Sequence, residues 1–136
     1  MMTTPEGPSP APEARARVLL VDDDPLISEL VLDVLELEGY EVDTAPNGLD
    51  ALEKLKNQRY DLIVTDLHMP KMDGSGFYRE LIERRLHPSR KIIFLTGTMG
   101  GSEEHQFLQE SGLPLLLKPF NVIELIELVR NVLNAP

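Results

Sequence analysis

The chain contains no cysteine. That absence excludes disulfides and thiol catalysis, and it fits a cytoplasmic protein. Histidine is scarce too: His68, His87 and His105 lie far apart, without the spacing of a zinc or iron site. Basic residues are few, 13 Lys and Arg against 23 Asp and Glu, so the formal net charge is −10. Non-specific binding to nucleic acid needs clustered cations, and this balance argues against it. No apolar run approaches the length of a membrane span, and the N-terminus has no hydrophobic stretch that would make a secretory signal. Four prolines within its first twelve residues instead predict an extended, disordered lead-in over residues 1–16. At 136 residues the chain suits one folded domain, over 17–136.

What is present is an alternation. Arg17 to Val21 (RVLLV) reads as a buried strand, and Asp24-Pro25 supplies a cap and a first-turn proline for a helix. Ile27, Leu30, Val31, Val34 and Leu35 recur at helical spacing until Gly39. Glu41 to Ala45 alternates as a more exposed strand, and Asn47-Gly48 opens a helix to about Gln58 with Leu49, Leu52 and Leu55 on one face. Leu62 to Thr65 is a third strand, followed by a turn with Pro70, Asp73 and Gly74 and a helix from about Gly76 to Arg84. Lys91 to Leu95 is a fourth strand, leading into a glycine-rich segment, Gly97 to Gly101. A helix over about Ser102 to Ser111, a strand at Leu115 to Leu117 and a helix from Asn121 to Leu133 complete the pattern. Five β–α units in sequence predict a doubly wound α/β fold: a parallel five-stranded sheet with five helices on its two faces. The apolar runs VLLV, LIV, IIFL and LLL suit strands buried on both sides.

In such folds, sites form beyond the carboxyl ends of the strands. There the sequence places Asp22-Asp23-Asp24, Asp66, Thr96 and Lys118. Converging carboxylates repel each other unless a cation sits among them. With only oxygen ligands in view, a hard ion such as Mg2+ fits. A lysine ammonium and a threonine hydroxyl can both hold phosphoryl oxygens, so the set is equipped for an Asp to attack phosphorus and form an acyl phosphate.

The segments VLLVDDDP, DLIVTDLHMPKMDG, IIFLTGT and LLLKPF resemble the CheY-like receiver domains of two-component response regulators, from about Arg17 to Leu133. The resemblance implies the flavodoxin-like strand order 2-1-3-4-5. It implies that Asp66 is the phosphoacceptor and that Asp22 and Asp23 are the acidic pair for Mg2+, with Asp23 the direct ligand. It adds Asp66 itself and the backbone carbonyl of His68 as further metal ligands. Thr96 then corresponds to the switch hydroxyl and Lys118 to its phosphoryl-binding lysine. Gly97, Thr98 and Pro119 lie near the site, and the Lys118-Pro119 peptide is expected to be cis. Implied partners are a sensor histidine kinase or a phosphotransfer protein. A homodimer or output partner is expected through the last helices, where Ile123, Leu128 or Val132 faces outward. The chain departs from the family pattern at Leu115, where many members carry a Tyr or Phe coupled to the threonine. The segments TDLHMPKMDG and GLPLLLKPF resemble receivers attached to hybrid histidine kinases in particular.

The resemblance implies a signalling phosphoacceptor that assists only its own phosphorylation and dephosphorylation, rather than an enzyme with a separate substrate. Two alternatives use the same residues. A degenerate receiver would serve purely as a protein-binding module. A haloacid-dehalogenase-type Mg2+ phosphatase would also use Asp, Thr, Lys and acidic residues, but with the nucleophile in the first motif. No DNA-binding or catalytic output segment follows the last helix in this sequence.

Overall fold

Runs of β-branched and aliphatic residues alternate with amphipathic segments along the whole chain, and each forms the element its periodicity predicts. The structure, a computed structural model, describes residues 15–87, 91–97 and 102–135, without the side chains of residues 102–105. The expected lead-in falls outside the described residues apart from Arg15 and Ala16, as do Thr98 and the rest of the glycine-rich segment beyond Gly97. The elements are β1 (Arg17–Val21), α1 (Pro25–Leu37), β2 (Glu41–Ala45), α2 (Gly48–Asn57), β3 (Leu62–Asp66), α3 (Gly74–Glu83), β4 (Ile92–Thr96), α4 (Ser102–Ser111), β5 (Leu115–Leu117) and α5 (Val122–Asn134). All strand pairs are parallel, in the order β2-β1-β3-β4-β5. This is the doubly wound topology expected from the sequence.

Strand side chains alternate between two cores. Leu19, Val21, Ile63, Ile92 and Phe94 meet α2, α3 and α4 through Ala51, Leu52, Leu55, Phe77, Leu81 and Leu108. Val18, Leu20, Leu62, Val64, Ile93 and Leu95 meet α1 and α5 through Val31, Leu35, Leu125, Val129 and Val132. One expected face is corrected, and one set of alternatives is resolved. Leu49 is 46% exposed, because the buried stripe of α2 runs through Gly48, Ala51, Leu52 and Leu55. Val132 is buried, because the inward stripe of α5 is Leu125, Val129 and Val132, whereas Ile123 faces outward at 68% exposure. Strands β3 and β4 each reach one residue further than the sequence suggested, taking in Asp66 and Thr96.

Helix starts are fixed by side-chain caps. Asp24 accepts from Leu26 N at 3.0 Å, Asn47 from Asp50 N at 2.9 Å, Asp73 from Gly76 N at 2.8 Å and Asn121 from Glu124 N at 2.7 Å. Because Asp73 is the cap, α3 begins at Gly74 rather than near Gly76. Gly74 N donates to Leu67 O at 2.8 Å, which folds the start of α3 against the end of β3. A Cβ at Gly74 would lie 2.8 Å from Leu67 Cα and 2.9 Å from the Asp66 carbonyl oxygen. Both are backbone atoms, so no rotamer change relieves the clash. Gly74→Ala is therefore expected to lower unfolding free energy by about 1–3 kcal/mol in urea titration; an unchanged midpoint would show that the close approach is not required.

At the opposite end of the sheet, the buried His87 imidazole sits with Nε2 2.7 Å from the Lys91 carbonyl oxygen, to which a neutral Nε2–H donates. Burial pushes its pKa below the ordinary value, against weaker upward pulls from that carbonyl and Asp61. The unfolded chain therefore takes up a proton first as pH falls below about 6.5, where the native state does not, and stability declines from there downward. Unfolding midpoints measured between pH 7.5 and 5 should drop, and His87→Gln should flatten that decline. An equal slope in the variant would contradict the assignment.

Candidate functional site

Parallel pairing brings the C-terminal ends of β1, β3, β4 and β5 to one edge. Asp66 stands opposite Leu95 in the β3–β4 register, and Thr96 stands opposite Leu117 in the β4–β5 register. Asp22 and Asp23 follow β1, and Lys118 follows β5. The order of elements therefore delivers the predicted residues to one place before any side-chain interaction is considered.

Lys118 Nζ donates to Asp22 Oδ2 at 3.1 Å and to Asp66 Oδ2 at 3.2 Å. The Asp22 side chain is fully buried and that of Asp66 nearly so, while the lysine side chain is 21% exposed. The remaining carboxylate oxygens are also held: Asp22 Oδ1 accepts from Asp24 N at 2.9 Å, and Asp66 Oδ1 from His68 N at 3.2 Å. Asp23 is exposed, and one oxygen from each of Asp22, Asp23 and Asp66 lies within 4.8 Å of the others. Burial pushes the Asp22 carboxyl above its ordinary pKa and the neighbouring Asp66 adds to this, while the Asp24 N–H and Lys118 pull it down. Burial alone would lower the pKa of Lys118, but Asp22 and Asp66 outweigh it and hold the ammonium above its usual value.

Three carboxylates thus face one ammonium, and the cluster keeps excess negative charge. Oxygen-only donors at that separation, one of them exposed, fit a hard divalent cation that retains water. Thr96 is fully buried at the end of β4, and its carbonyl accepts from Lys118 N at 2.8 Å, which ties the base of the lysine to the neighbouring strand. Among the described residues, a Cβ built on Gly97 meets nothing within 4 Å. The Lys118-Pro119 peptide is cis, as expected.

Two contributors escaped the sequence reading. Asp24 stands in the sequence as a helix cap within the acidic run after β1, and its N–H also orients Asp22. Ser28 Oγ donates to the Asp22 carbonyl at 3.4 Å; its position one turn after Asp24 was the available signal. Near Leu115, aromatic rings come from other elements. Tyr78, Phe94 and Phe107 form an edge-to-face cluster with centroids 5.4–6.1 Å apart, and Phe94 is the register partner of Leu115.

Comparison with known proteins agrees with this geometry. The transcriptional regulatory protein CpxR homolog of Haemophilus influenzae is 38% identical over 119 residues, 88% of this chain and 51% of that protein. This chain therefore spans about half the length of that relative. Sensor protein EvgS of Escherichia coli is 37% identical over 117 residues, 86% of this chain and 10% of EvgS. The response regulator protein TrrA of Thermotoga maritima, solved in complex with Mg2+–BeF, superposes with a TM-score of 0.73 at 37% identity, covering 86% of this chain and 98% of that one. Residues 18–130 match the response regulator receiver domain. With its strand order and its acidic cluster at the strand ends, the chain belongs to the receiver domain family of two-component response regulators.

Proposed function

We propose that this receiver accepts a phosphoryl group on Asp66 from a phosphohistidine of a sensor kinase or phosphotransfer protein. The observation that carries the reading is the position of Lys118, whose ammonium spans Asp22 and Asp66 beside the exposed Asp23. In the transfer, an Asp66 carboxylate oxygen attacks phosphorus as the bond to the donor imidazole nitrogen breaks, giving an acyl phosphate and a free histidine. Lys118 already holds Asp66 Oδ2, so its ammonium can follow the negative charge onto a phosphoryl oxygen without leaving the site. The Thr96 hydroxyl is the second protein group assigned to those oxygens, with Gly97 next to it in the chain. Asp22, Asp23, Asp66 and the His68 carbonyl are the residues that would hold Mg2+, which when bound offsets charge on the transferring phosphoryl group.

That TrrA was solved in complex with Mg2+–BeF supports this reading. The chain's role in this reading is signalling, with no separate substrate. A homodimer or output partner would dock on the side carrying Leu117 and Ile123, both exposed apolar residues beside the phosphorylated edge. No helix among the described residues is long and apolar enough to cross a membrane, and the reading places the domain in the cytoplasm with its donor.

Incubation with acetyl phosphate and Mg2+ should add one phosphoryl mass to the wild type, with the gain lost without Mg2+ and in Asp66→Asn. Equal labelling of both proteins would exclude Asp66 as acceptor. Lys118→Met leaves Asp22 and Asp66 buried together without their shared cation. It should cost about 1–3 kcal/mol of stability in the absence of Mg2+, with part of that loss recovered by added Mg2+. A stability loss indifferent to Mg2+ would place the metal elsewhere.

A further inference from the structure

The amino ends of the strands, opposite the acidic cluster, carry a different kind of surface. The C-terminal ends of α2 and α3 border an open groove of about 950 Å3. Its floor includes Leu55, Tyr60 and Leu86, and Ile82 is 40% exposed at its edge. Among the described residues, its charged lining is Lys56, Arg59, Arg85 and Lys91 with one acid, Asp61, in a chain whose net charge is −10. That acid is engaged, accepting from Arg17 N at 2.8 Å. Lys56 is paired with Glu53 at 2.8 Å, and Lys91 donates to the carbonyls of Val132 and Ala135 at the end of α5. Arg59 and Arg85 are both exposed, and among the described residues neither forms an ion pair.

Arg85 carries a second signal. Its φ is +53°, and it follows the cap residue of α3, the left-handed position that glycine fills most easily. The chain places a long cation there at a backbone cost. Offsetting a helix dipole accounts for Lys56 in the last turn of α2, but α3 has no basic residue in its last turn, and α1 ends at this same edge with Glu36 and Glu38. Guanidinium forks bind carboxylates bidentately, and the apolar floor between them suits aliphatic side chains. The groove is too large for a single small anion, and the protein's overall acidity disfavours a nucleic acid.

We propose that this groove docks a carboxylate-rich peptide segment of a partner protein, with Arg59 and Arg85 gripping its carboxylates and Ile82 and Leu86 receiving an aliphatic side chain. The site lies at the far end of the sheet from Asp66, so it tethers the receiver independently of phosphorylation. The test uses the full chain, 15N-labelled, titrated with an acetylated Glu-Glu-Leu-Glu-Glu-Leu peptide and followed by amide shifts and fluorescence anisotropy. Shifts should concentrate on the residues around Arg59, Arg85 and Leu86. Arg59→Glu with Arg85→Glu should weaken binding at least tenfold, and Asp66→Asn should leave it unchanged. Arg85→Gly relieves the left-handed strain, so it should match or exceed wild-type thermal stability and still bind the peptide several-fold more weakly. The proposal is overturned if the double variant binds as well as wild type, if the shifts fall at the acidic edge, or if Arg85→Gly retains full affinity. It is likewise overturned if inorganic phosphate or a DNA duplex competes at the peptide's own concentration, which would mark a general anion patch.

Discussion

The site depends on one ammonium between two carboxylates that the fold has removed from water. Asp22 and Asp66 arrive together because β1 and β3 are neighbours, and neither could choose a distant position without moving a strand. Burial raises the cost of their charges, and Lys118 offsets it only in part, as the upward displacement of the Asp22 pKa shows. A cluster left with excess negative charge suits a cation, and the proposed phosphoryl group would arrive beside it. The same imbalance that weakens the fold locally is therefore the source of the proposed chemistry.

The surrounding structure holds that arrangement in place. Backbone N–H groups of Asp24 and His68 take the carboxylate oxygens that Lys118 does not reach. Gly74 lets α3 start directly against the backbone of Asp66 and Leu67. Thr96 O anchors the lysine's own backbone. None of these contacts is strong alone, but each fixes one degree of freedom of a charged side chain, which a displacement at phosphorus requires.

Much of this was legible in the residues. Apolar runs bounded by caps located every element, and reading the residue after each strand gathered Asp22, Asp23, Asp66, Thr96 and Lys118 without coordinates. What the sequence could not supply was rotation and reach. Leu49 was assigned to the wrong face, and Ile123, Leu128 and Val132 stood as alternatives for the outward side of α5, because a helix rich in aliphatic residues fits more than one stripe, and only packing against the sheet selects among them. The second role of Asp24 was hidden for a related reason, since a capping side chain gives no hint of where its own N–H points. The cluster of Tyr78, Phe94 and Phe107 draws on α3, β4 and α4, and no local motif connects those three positions.

An acidic cluster lies where the helices begin, and a groove rimmed by arginine lies where α2 and α3 end. Of the claims made for these surfaces, the central one is that Asp66 is the residue that forms the acyl phosphate. Borohydride reduction of the phosphorylated protein converts an aspartyl phosphate to homoserine, and peptide mass spectrometry then locates it. The account predicts homoserine at position 66 and none at positions 22 or 23; homoserine at either of those, or phosphate retained on a histidine, would contradict it.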